Sequence, residues 1–260
     1  MIDYAVSIFL AILAISGVLA YLAWAKFQGK VHFDRVDSTG GSSLLSKDVM
    51  NMGYWWFQPI GKFCVKYNIS PNQISWASLV FGILAGASAC FGNFGLAALF
   101  LWTAAALDAV DGMVARLIGS NDPMGIILDS SLDRYVDFFF FAGVVVYYSF
   151  NPVLMMVPLF AILGSFMISY SSAKAEAMQL VPPRGTMKRA ERLTYMIAGG
   201  ILASFSINWL ESGWDMENPI GLPMLFVMGM IAVMANISAV KRLYSLAKQS
   251  AAQQQGDLSK

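Results

Sequence analysis

The chain has 260 residues, 57% of them hydrophobic and only 13% charged, with a mean hydropathy of +0.60. Soluble domains run nearer 25% charged, which excludes a soluble globular protein and points to an all-α polytopic membrane protein. No nucleic-acid partner is expected, and the net charge of +1 says little, because where the charges fall matters more than their sum.

Windows long enough to cross roughly 30 Å of hydrocarbon fall at residues 4–25, 74–91, 95–118, 125–148, 153–170, 193–207 and 220–240. The first is preceded by "MID", an acid and no base, and is followed by basic residues. It is therefore a retained anchor rather than a cleaved leader. Residues 1–43 form this anchor and a connector, with "STGGSS" reading as a flexible inner loop. Residues 44–68 mix aromatics with Lys47, Lys62 and Lys66. They suit an amphipathic helix lying in the inner interface or, equally, one packed on the bundle.

In "SPNQIS", Ser70 is placed to cap the next span, with Pro71 at its first helical position. The 193–207 window reaches spanning length only if it extends at its ends. Residues 69–246 form a six-helix membrane domain, and the polar tail 247–260, rich in Gln, Ala and Ser, reads as disordered or frayed. All 17 Lys and Arg lie in, or at the mouths of, the segments 26–73, 117–124, 173–192 and beyond 240. The intervening loops "FGNFG", "SFNP" and "NWLESGWDMENP" hold none. The positive-inside rule then puts the N-terminus outside and the basic segments in the cytoplasm, for a chain in the cytoplasmic membrane. Cys64 and Cys90 fall on opposite sides, which disfavours a disulfide between them. The sequence holds no nucleotide-binding glycine loop.

The chemistry concentrates in "LDAVDGMVARLIGSNDPMGIILDSSLDRYVD", residues 107–137. One helix stops near Gly119, and the next starts after "SND" with Asp122 as N-cap and Pro123 as its first residue. At 1.5 Å per residue, Asp111 and Asp108 lie roughly 12 and 16 Å from the end of the first helix. Asp129 and Asp133 lie roughly 9 and 15 Å into the second. Each pair, spaced i,i+3 or i,i+4, shares a face, so two antiparallel neighbours bring four carboxylates to one depth. A central aspartate costs about 2.5–3.5 kcal/mol even on the lenient insertion scale. Such a site requires either protonation or cations. All-carboxylate ligation favours Mg²⁺ or Mn²⁺ over zinc, and two such ions would balance four carboxylates and clamp a phosphoryl group. Gly112 and Ala115 leave room beside Asp108 and Asp111, while Arg116 offers a fork to phosphate oxygens. Gly125 permits close approach at the start of the second helix. Asp137, three residues from Arg134, is expected to pair with it.

The pattern Asp108-x2-Asp111-Gly112-x2-Ala115-Arg116-x8-Gly125-x3-Asp129-x3-Asp133 resembles the CDP-alcohol phosphotransferase signature at every fixed position. The resemblance spans residues 69–240 and leaves the first helix as an addition. It implies transfer of a phosphatidyl-type group from a CDP-linked lipid such as CDP-diacylglycerol to a small polar alcohol, with release of CMP. It also implies that Asp108, Asp111, Asp129 and Asp133 ligate two divalent ions and that Asp133 is the general base. Asp108, Gly112, Ala115, Arg116 and Gly125 would border the CDP donor, and the enzyme would be a homodimer.

A finer resemblance rests on "LDSSLDRYVD", "SYSSAKAEAM" and "GTMKRAERL", which look like the branch making phosphatidylinositol phosphate or its archaeal-lipid counterpart. That branch carries "SYxRARAE", with two arginines implied to hold the acceptor's phosphate; here Ser172 and Lys174 stand at those positions. Lys174, Arg184, Lys188, Arg189 and Arg192 still form a basic inner loop. It could receive a phosphorylated acceptor such as inositol phosphate, or simply face anionic membrane lipid. The competing functional class is a cation or proton transporter that uses the acidic cluster as its ion site. That class leaves Gly112, Ala115, Arg116 and Gly125 without a role.

Overall fold

The structure, a computed structural model, describes residues 2–29, 47–120, 122–181, 187–213 and 218–258. Most of the connector, Arg184 and part of the loop between α7 and α8 lie outside these residues. The elements are α1 (Ile2–Gln28), α2 (Lys47–Lys66), α3 (Pro71–Cys90), α4 (Phe94–Leu117), α5 (Pro123–Tyr147), α6 (Pro152–Ala177), α7 (Arg189–Phe205) and α8 (Leu222–Leu258). No strand occurs among the described residues.

The local signals act as the sequence predicts. Ser70 Oγ accepts the Gln73 N–H at 3.3 Å while Gln73 Oε1 accepts the Ser70 N–H at 3.0 Å, a capping box with Pro71 at the first position of α3. Asp122 accepts the Met124 and Gly125 N–H groups at 3.1 and 3.2 Å, which starts α5. Between them, α4 ends where Gly119 turns to φ +66° and the Ser120 N–H closes back on the Ala115 carbonyl at 2.9 Å. That is a Schellman stop.

Among the described residues, six helices are long and apolar enough to cross a membrane: α1, α3, α4, α6, α7 with its continuation to Leu210, and α8 as far as Gln253. The short 193–207 window thus gains residues at both ends, including a π-helical turn at Ser206–Leu210. The seventh predicted span, α5, has 25 residues. It carries Asp129, Asp133, Arg134 and Asp137, and that charge keeps it outside the apolar set. Its buried face, through Val136, Asp137, Phe140, Phe141 and Val144, packs into the bundle beside α3. There Gly86 and Gly143 let two backbones meet: a Cβ on Gly86 would fall 2.2 Å from the Phe139 carbonyl oxygen, and one on Gly143 would fall 2.0 Å from that of Gly86.

α2 packs one side on α4. Cys64 joins Ile74, Val110 and Val114 in a small core, and Gly61 faces Met113. Ile60, Phe63 and Tyr67 stay exposed, so the helix is both docked on the bundle and apolar on its outer side. α1 is tied in at both ends. Near its start, Asp3 accepts the Leu96 N–H at 2.8 Å and the Ser204 hydroxyl at 2.7 Å. Near its end, Tyr21 meets Trp55 of α2 edge-on and Trp24 lies tilted against the same ring.

The tail departs from expectation. Instead of fraying after residue 246, α8 continues to Leu258. Ala, Gln and Leu are good helix formers, the helix is already nucleated, and Gln249 Nε2 donates to the Val181 carbonyl at 3.0 Å.

Candidate active site

The antiparallel arrangement of α4 and α5 brings together the acids that the spacing singled out. Asp108, Asp111 and Asp129 each offer a carboxylate oxygen, all within 4.8 Å of one another. Asp111 is 3% exposed, and its Oδ2 accepts the Ser75 hydroxyl of α3 at 2.7 Å. Three carboxylates this close repel strongly in a low-dielectric setting, and a hard divalent cation is the group such a donor set suits.

The fourth acid, Asp133, adjoins this triad and is engaged by Arg189. Arg189 Nη1 lies 2.9 Å from Asp133 Oδ1 and 3.1 Å from Asp108 Oδ2, while its Nε lies 3.3 Å from Asp137 Oδ1. Arg192 Nη2 then meets Asp137 Oδ2 at 3.3 Å. The expected Asp137–Arg134 pair is therefore not made. Asp137 points into the bundle, 3% exposed, whereas Arg134 sits on the exposed side of α5 and donates to the Ser130 carbonyl. Arg189 and Arg192, singled out as acceptor-binding residues, both line this acidic centre. Lys174 is exposed near the C-terminal end of α6, and Arg184 lies outside the described residues.

Two cavities flank the acids. The more polar one, of about 480 Å³, is bordered by Asp111, Gly112, Ala115, Arg116, Gly125 and Asp129, together with the Ser70–Ser75 end of α3. It thus contains every small or basic residue of the motif. A Cβ on Gly112 would meet only the Arg116 guanidinium, at 3.3 Å, and that guanidinium sits over the Tyr54 ring, 5.7 Å from its centre. The other cavity, about 470 Å³ and mostly apolar, lies between α2, α4 and α7, with Asp108 and Arg189 at its border and Tyr54, Phe57, Trp102 and Leu193 in its walls. Polar and apolar chambers meeting at an acidic centre fit a ligand that is half nucleotide and half hydrocarbon.

Sequence reasoning missed Ser75, which no motif marks, and the turn of Arg189 into the acids, which only the tertiary fold creates.

Residues 68–238 match the family model described as CDP-alcohol phosphatidyltransferase. The phosphatidylinositol phosphate synthase of Mycobacteroides abscessus is 27% identical over 197 residues, covering 72% of this chain and 82% of that protein. The bifunctional IPC transferase and DIPP synthase of Archaeoglobus fulgidus is 32% identical over 154 residues, 55% of this chain and 30% of that protein. Among solved structures, the Mycobacterium tuberculosis phosphatidylinositol phosphate synthase in complex with manganese and citrate superposes with a TM-score of 0.63 at 24% identity, over 72% of this chain and 87% of that one. The same enzyme with CDP-DAG bound gives a TM-score of 0.62, covering 72% and 92%. The likeness in fold is close.

Proposed function

The chain belongs to the CDP-alcohol phosphatidyltransferase family, and on that premise we propose that it moves a phosphatidyl group from CDP-diacylglycerol to a phosphorylated polar alcohol, inositol phosphate being the first candidate. The observation that carries this reading is the meeting of the Asp108–Asp111–Asp129 triad and Asp133 at the junction of the two cavities. Gly112, Ala115 and Gly125 leave space for the cytidine, Arg116 forks onto the diphosphate, and the apolar chamber takes hydrocarbon. Asp133 accepts the proton of the acceptor hydroxyl as that oxygen bonds to the phosphatidyl phosphorus. The bond to CMP breaks, and CMP leaves with the electron pair. Lys174, Arg184, Arg189 and Arg192 hold the acceptor's own phosphate. Asp108, Asp111, Asp129 and Asp133 would hold two divalent cations, Mg²⁺ or Mn²⁺, which when bound neutralise the carboxylates and stabilise charge on the transferring group. The enzyme is a homodimer in this reading, with its active site at the cytoplasmic face.

The test is CMP release from CDP-diacylglycerol with inositol phosphate, inositol, glycerol phosphate or serine as acceptor, with mass spectrometry of the lipid formed. Release should require the divalent ion, and Asp133→Ala should lower it by at least about 10²–10⁴-fold. Folded protein that releases no CMP with any acceptor would overturn the proposal. Ion flux into liposomes without nucleotide would favour the transporter instead.

A further inference from the structure

The two halves of α2 are held in different ways. Met50, Gly53, Tyr54 and Phe57 of the N-terminal half line the apolar chamber, all on one face of the helix. That half therefore borders a cavity of about 470 Å³ where packed side chains would normally sit. The C-terminal half is docked: Cys64 joins Ile74, Val110 and Val114, and a Cβ on Gly61 would fall 2.7 Å from Met113 Sδ. Between the halves stands Pro59. It has no N–H to give the Trp55 carbonyl, and its ring crowds that carbonyl, so the helix is weakest where its packing changes.

What backs the N-terminal half is α1. A Cβ on Gly17 would fall 1.9 Å from Trp56 Cζ2, so only glycine lets that indole lie against the helix. One turn on, Tyr21 and Trp24 meet Trp55, with ring centres 5.7 and 5.4 Å away, a spacing at which rings attract. The opposite end of α1 is fixed to α4 and α7 through Asp3. The contact is not saturated, however. Among the described residues the buried Tyr21 hydroxyl has no hydrogen-bond partner, an unmet polar group that opening would expose.

We infer that residues 47–58 form a lid over the apolar chamber, pivoting at Pro59 and latched by Gly17, Tyr21 and Trp24, and that the latch makes the enzyme select long-chain donors. The assignment rests on the transfer reading above and gives α1, which lies outside the matched family domain, a part in it. With the lid closed, hydrocarbon in the chamber is covered by Met50, Tyr54 and Phe57. Tyr54 also lies beneath the Arg116 guanidinium, so closure over the tails and the grip on the diphosphate come together.

The test compares two donors, CDP-dioleoylglycerol and CDP-dioctanoylglycerol, with one acceptor held fixed. Gly17→Leu pushes Trp56 away and Trp55→Ala removes the ring that Tyr21 and Trp24 meet. Each should lower the long-over-short ratio of kcat/KM by about 10-fold, the worth of roughly two buried methylenes, with the acceptor KM nearly unchanged. Pro59→Ala removes the pivot. It should keep or raise the melting temperature and yet lower kcat/KM for the dioleoyl donor, a combination that a purely structural proline would not give. Motion is read separately by spin labels on Val49→Cys and Thr194→Cys, with Cys64 and Cys90 replaced by alanine. The distance distribution between them should narrow when CDP-dioleoylglycerol is added without acceptor, and Trp55→Ala should keep it broad. An unchanged donor ratio in folded Trp55→Ala, or one distance distribution with and without donor in a protein that turns over, overturns the inference and leaves the transferase intact. Narrowing that depends on Trp55, in a protein that releases no CMP with any acceptor, counts against the transfer reading alone.

Discussion

Ser75 and Asp137 show how single side chains are held in this site. Ser75 donates to Asp111 from a third helix, fixing which oxygen faces the other acids. Outer contacts of this kind are worth about 10–100-fold in metal affinity. Ser75→Ala should therefore weaken Mn²⁺ binding by about 10-fold, measured by electron paramagnetic resonance titration, with the fold unchanged. Asp137 joins two arginines on α7 while itself only 3% exposed. Asp137→Ala leaves Arg192 as a buried charge without its partner, which should cost about 3–5 kcal/mol and appear as a lowered melting temperature in detergent. The i,i+3 and i,i+4 acids were legible in the sequence because helical geometry alone fixes their faces. The partners of Asp137 were not, since Arg189 and Arg192 lie more than fifty residues along the chain and only packing selects them over the adjacent Arg134.

Among the helices, α1 is joined to the catalytic core by a carboxylate. Asn93, at the start of α4, makes no side-chain cap, and Asp3 supplies one from α1 by accepting the Leu96 N–H. Gly95 leaves the space for it, because a Cβ there would fall 2.3 Å from the Asp3 carbonyl oxygen and from Ser7 Oγ. Asp3→Ala should cost about 0.5–2 kcal/mol, with Asp3→Asn milder, both read from thermal unfolding. The sequence displayed α1 as an apolar window and gave no sign of this capping, because an N-cap residue is normally sought immediately before its own helix. The turns at Ser70, Gly119 and Asp122, by contrast, were readable since their hydrogen bonds are local. The helical tail was misjudged by composition, its polarity outweighing the helix propensity of its Ala and Gln residues.

For the whole molecule, the orientation is an expectation from charge alone, and it can be tested directly. With Cys64 and Cys90 replaced by alanine, Asn218→Cys should react with a membrane-impermeant maleimide on intact cells. Gln253→Cys should react only after the membrane is opened. The reverse pattern would invert the proposed topology. The bundle is also packed differently on its two sides. Where α3 meets α5, main chains touch at Gly86 and Gly143 and no side chain can yield. Around the apolar chamber, α2, α4 and α7 meet through Tyr54, Phe57, Trp102 and Leu193, which can change rotamer. In the transfer reading proposed above, a two-tailed donor enters sideways through the aromatic flank, where side chains can swing aside, and not across the glycine seam.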